Sequence, residues 1–130
     1  MTKPTLPTIP FKSPKSFETW LEKQHHKSTG IWMKIYKKDS GIKTITYAEA
    51  LDVALCFGWI DGQKQAFDEE CWLQKFCPRT AKSIWSKVNI GHVERLIQND
   101  KMRPAGLKAI ENAKADGRWD RAYDSPSKMT

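Results

Sequence analysis

The chain has 130 residues, 39% hydrophobic and 28% charged, with 22 Lys+Arg against 15 Asp+Glu and a formal charge of +7. This mix excludes a disulfide scaffold and a wholly disordered chain. The longest apolar run, Val53 to Ile60, is far short of the roughly twenty residues a membrane helix needs, so no membrane insertion is expected.

In chain order, the Pro-spaced N-terminus predicts an extended start, with a first strand around Thr8–Phe11. Ser13-Pro14 reads as a helix N-cap followed by proline in the first turn. Phe17, Trp20, Leu21 and Gln24 then carry a helix over 14–27, ending near Gly30. Ile31–Lys38 alternates, with Ile31, Met33 and Ile35 on one face and Trp32, Lys34 and Tyr36 on the other. It predicts a strand with one core face and one aromatic-basic face. Asp39-Ser40-Gly41 is a turn, and Lys43–Ile45 is expected as a short return strand. Thr46 and Glu49 fit a capping box for a helix on Tyr47, Ala50, Leu51, Ala54 and Leu55, closed near Gly58. Residues 59–66 and 71–77 predict an antiparallel hairpin around Asp68-Glu69-Glu70, ended by Pro78. Asn89 is expected to cap a helix on Ile90, Val93, Leu96 and Ile97. Pro104 opens a last helix on Leu107, Ile110 and Ala113 that stops at Gly117. The fold class expected is α+β: a small antiparallel sheet packed with about four helices, one domain over 1–123, and a linker-like disordered tail at 124–130.

The charge is blocked. Residues 1–43 carry +6, residues 44–74 carry −5 and residues 75–123 carry +6. Three cysteines, Cys56, Cys71 and Cys77, form no CxxC pair and suggest reduced thiols in the cytoplasm. No HExxH, GxGxxG, P-loop or GxSxG motif is present, so no metal or cofactor is expected.

Five blocks carry a family likeness: residues 18–25 (ETWLEKQH), 30–41 (GIWMKIYKKDSG), 45–70 (ITYAEALDVALCFGWIDGQKQAFDEE), 76–89 (FCPRTAKSIWSKVN) and 102–127 (MRPAGLKAIENAKADGRWDRAYDSPS). In this order and spacing the chain resembles the YdeI/OmpD-associated family, also called bacteriocin-protection proteins. The resemblance implies a bacterial protein tied to resistance to bacteriocins and cationic peptides, with no assigned reaction, cofactor or catalytic residue. It also implies a second, helical region beyond the SPS segment.

Two stretches combine groups able to do chemistry. Gly58–Lys64 brings together Trp59, Asp61 and Lys64. In a regular strand Trp59, Asp61 and Gln63 share one face, and Ile60, Gly62 and Lys64 the other. Gly62 in mid-strand suggests a bulge or a close approach. Asp61 is either a buried acceptor fixing the hairpin or a pocket wall beside Trp59. The second stretch holds Arg79, Ser83, Trp85 and Ser86 within the acid-free run 75–92. Arg79 offers a planar fork for an anion or pairs with an acid such as Asp61. Ser83 completes an anion site or caps a helix, and Trp85 can stack on a ring. The expected site is a polar-aromatic cleft of Trp59, Asp61, Lys64, Arg79, Ser83, Trp85 and Ser86, taking a small anionic ligand or a peptide. Two alternatives remain open: a nucleic-acid-binding module, and an enzyme with Asp61 as base and Arg79 as clamp.

Overall fold

The computed structural model describes residues 6–80 and 83–122. The tail expected at 124–130 lies outside them. The elements are β1 (Thr8–Pro10), α1 (Pro14–Gln24), β2 (Ile31–Tyr36), a 3-10 turn (Lys38–Ser40), α2 (Tyr47–Cys56), β3 (Trp59–Ala66), β4 (Cys71–Pro78), α3 (Lys87–Gln98) and α4 (Pro104–Ala115). The class is α+β, with a four-stranded sheet in the order β1-β2-β4-β3. The sheet is mixed. β1 lies parallel to β2, with Ile9 beside Met33, while β2 and β4 are antiparallel.

Local chemistry explains most boundaries. Ser13 accepts from the Ser16 amide at 3.2 Å, and Ser16 Oγ accepts from the Ser13 amide at 3.3 Å, which closes a capping box ahead of Pro14. A second box opens α2: the Glu49 amide donates to Thr46 Oγ1 at 3.1 Å, and the Thr46 amide donates to Glu49 Oε1 at 3.0 Å. In the hairpin turn, Asp68 Oδ1 accepts from the amides of Glu70 and Cys71, each at 2.8 Å. Those bonds, from Cys71 first and then Glu70, hold the Asp68 carboxyl below the usual carboxylate range. Residues 43–45 form no strand. Ile45 is fully buried and its amide donates to Phe11 O at 3.0 Å, so this segment is a plug pinned to the core. The helix expected from an Asn89 cap begins earlier, because Ser86 supplies the cap by accepting from the Asn89 amide at 3.1 Å.

Contacts divide the described residues into two compact units: those up to Ala54 with Ile60–Pro78, and Leu55–Trp59 with those from Arg79 onward. In the first, Ile31 pairs with Phe76, Met33 with Gln74 and Ile35 with Trp72, which places these six on one sheet face. Helix α1 meets that face through Phe17, whose ring centroid lies 5.0 Å from Phe11 and 5.7 Å from Phe76. Fully burying an aromatic of this size contributes roughly 1.5–3 kcal/mol. The opposite face carries Trp32, Lys34 and Tyr36 beside Lys75, Leu73 and Cys71. One sheet edge is β1, three residues ending in Pro10. The other is β3, exposed from Gly62 to Ala66.

In the second unit, the N-terminus of α4 lies against the turn after α2. The Arg103 amide donates to Cys56 O at 3.0 Å, and the Arg103 guanidinium sits 5.2 Å from the Phe57 ring centre. The backbones approach so closely that a Cβ at Gly106 would overlap the carbonyl oxygen of Cys56 and come within 2.7 Å of its carbonyl carbon. Gly58, at φ +78°, completes the turn, and a Cβ there would lie 2.9 Å from Ala105 O.

Candidate functional site

The first unit gathers a polar-aromatic group at the hairpin end of the sheet. Tyr47, the first residue of α2, donates its hydroxyl to Asp61 Oδ2. Its ring centroid lies 6.3 Å from that of Trp72. Burial, reinforced by the bond to Asp61 and by the Asp61 charge, pushes the Tyr47 phenol well above its ordinary value. Lys64 holds its Nζ 4.8 Å from the Trp72 ring centre. Beside this pair is a shallow, open depression of about 270 Å³ lined by Lys37, Lys64, Gln65, Ala66 and Trp72.

Asp61 and Lys64 are three residues apart, so a regular pleat would send them to opposite faces. Yet both reach the Tyr47–Trp72 pair. β3 is an edge strand, and the long Lys64 side chain reaches Trp72 around that edge. The hairpin keeps one register: a Cβ at Gly62 would lie 3.4 Å from the Lys75 side chain, and the Arg79 amide donates to Gly58 O at 3.0 Å. The buried Gln74 side-chain amide donates to Gly62 O at 2.9 Å and ties the edge strand to β4.

The second unit contains the other named residues. Trp59 is buried at 1% exposure and stands as a core residue with no open ring face. The Arg79 guanidinium stacks 3.6 Å from the Trp85 ring centre, and its Nη1 donates to Ile84 O at 3.2 Å. Trp85, 2% exposed, meets Trp119 at 5.1 Å between centroids, and its Nε1 finds no hydrogen-bond partner among the described residues. Ser83 Oγ accepts from the Thr80 amide at 2.9 Å, and Ser83 O accepts from Arg118 Nη1 at 2.8 Å. Arg118 is itself held by Asp116 at 2.7 Å, and the Asp116 carboxyl is lowered chiefly by the Arg118 backbone amide. Ser86 is committed to capping α3. Arg79, Ser83 and Trp85 thus form one interlocked group that orders the chain ahead of α3.

Four lining residues, Lys37, Gln65, Ala66 and Trp72, escape the sequence argument, as does the neighbouring Tyr47. Trp72 and Tyr47 follow core periodicities, and Lys37 reads as a strand end. The only available signal is their place beside the Asp68–Glu70 turn. Cys56, Cys71 and Cys77 form no disulfide, and burial raises the Cys71 thiol above its ordinary value, with help from Asp68. Among the described residues no group of three His, Cys, Asp or Glu side chains is placed to hold a metal ion, and no helix is long and apolar enough to cross a membrane.

No curated protein and no solved structure matches the chain significantly. The family model described as a domain of unknown function, DUF8412, matches residues 9–109. By that match, over most of its length, the chain belongs to the DUF8412 family.

Proposed function

We propose that the protein is a binding protein for a small anionic ligand, seated in the depression beside Trp72. The observation that carries this reading is the 270 Å³ depression in which two lysines, Lys37 and Lys64, border one tryptophan. Ammonium groups supply charge, the ring supplies a flat apolar wall, and a few convergent polar groups in a concavity make a ligand site. Of the cleft expected from the sequence, Lys64 lines this depression and Asp61 acts beside it through Tyr47. Arg79, Ser83, Trp85 and Ser86 serve the order of their own unit in this reading. A role in bacteriocin protection, in the cytoplasm of a bacterium, belongs to the same proposal and rests on the resemblance of the five sequence blocks and on three cysteines that form no disulfide.

Calorimetric titration with inorganic phosphate and ribose 5-phosphate tests the binding. Saturable binding that is lost in the Lys37→Gln, Lys64→Gln double variant supports it, and no binding at millimolar ligand overturns it. The cellular role is tested by bacteriocin survival of a strain deleted for the gene. Equal survival with and without the gene removes that part.

A second reading, single-stranded nucleic acid, is favoured by Trp32, Lys34, Tyr36 and Lys75 on the face of the sheet away from α1. Labelled oligonucleotides should then bind with strong salt dependence. No binding at low salt removes it.

A further inference from the structure

We infer that the ligand is an aromatic phosphate monoester of mononucleotide type, and that Lys64 is a movable cover on its ring site. The inference rests on the anion-binding reading above.

The lining of the depression argues for the phosphate. Its two cations are ammonium groups, which are compact point charges, and the lining contains no guanidinium. A planar fork matches a carboxylate edge-on, whereas two separate ammoniums suit a dianion with several oxygens. The depression, at about 270 Å³, lies at the small end of ligand pockets, which run from roughly 300 Å³ upward.

The ring argues for the aromatic part. Trp72 is half-buried, and Ala66 lines the same depression beside it. Gln65 carries both a donor and an acceptor, as the edge of a heterocycle requires. Tyr47, held by Asp61, backs the Trp72 ring at 6.3 Å and limits its freedom to turn. Without ligand, the open face of Trp72 is covered by the Lys64 ammonium at 4.8 Å. A cation on an exposed ring is a weak contact. A stacking base competes with it directly, and the displaced ammonium is then free to meet the phosphate of the same ligand. Lys64 reaches the Trp72 side around the edge of β3, and its exposed stem lets it move.

This exchange gives opposite signs for two probes on one substitution. Calorimetric titration of the native chain and of Lys64→Gln with AMP, adenosine and ribose 5-phosphate tests it. The native chain should bind AMP about tenfold more tightly than ribose 5-phosphate, the gain a stacked base brings. Lys64→Gln should weaken AMP and strengthen adenosine, because the charge is lost and the ring is uncovered. Equal affinities for AMP and ribose 5-phosphate would overturn the aromatic part and leave the anion reading standing. Adenosine unchanged or weakened by Lys64→Gln would overturn the cover. Failure of AMP and ribose 5-phosphate alike would overturn the anion reading itself. Lys64 is exposed, so the variant keeps the fold, and an unchanged melting temperature verifies this.

Discussion

Tyr47 keeps its proton to a higher pH than a free phenol because its half-buried site penalises the phenolate, and the hydrogen bond to Asp61 and the Asp61 charge add to that. The sign of the consequence is fixed. A group whose pKa is raised on folding gives stability that is complete below its unfolded value, about 10 for tyrosine, and lost as pH climbs toward the folded value. The urea midpoint of the native chain should therefore fall as pH rises above about 10, and Tyr47→Phe should lose less over the same range. At neutral pH the variant costs about 1 kcal/mol, the net worth of one hydrogen bond. An identical alkaline decline in both proteins would show that the Tyr47 proton does not contribute. Ser86 offers a second test. It caps α3, so Ser86→Ala should cost about 1 kcal/mol whether or not ligand is present. Stability unchanged by that substitution would reopen Ser86 as a ligand group.

At the level of elements, the tightest constraint is the approach of α4 to the turn after α2. Gly106→Ala gains intrinsic helix propensity of up to about 1 kcal/mol, yet its methyl would overlap the Cys56 carbonyl. Overpacking against backbone has no cheap relief, and a net loss of about 2 kcal/mol is expected in chemical denaturation. A gain in stability would show that α4 can move. Gly58 stands in the sequence as a helix stop, and nothing local marks Gly106, inside α4, as its neighbour in a close contact. By contrast, the capping residues of α1 and α2, the alternation of β2 and the hairpin were all legible, because each depends on residues within a few positions. The parallel β1–β2 pairing was not, since it joins segments separated by α1. The site was legible in part. Asp61 and Lys64 are visible as chemistry, but their partners Tyr47 and Trp72 lie on α2 and β4, which no local pattern places beside them.

At the level of the whole molecule, the sequence of one compact unit is interrupted by a piece of the other. Leu55–Trp59 groups with the residues from Arg79 onward, although Ile60–Pro78 separates the two in the chain. A fragment of residues 79–122 therefore lacks Cys56, Phe57 and Gly58, against which the start of α4 packs. Circular dichroism of that fragment should show little helix, and adding back a peptide of residues 47–60 should raise it. Full helicity of the fragment alone would make the inserted turn dispensable. The two outer strands have a separate consequence. Exposed backbone at a sheet's rim can template the addition of further chains. Here β1 offers only three residues, the last a proline, and β3 offers eight residues whose exposed stretch carries Lys64. The β1 rim is too short to template addition and a lysine opposes it on the β3 rim, so the native protein should resist fibril growth at high concentration, and seeding should begin only after β1 or β3 has come apart.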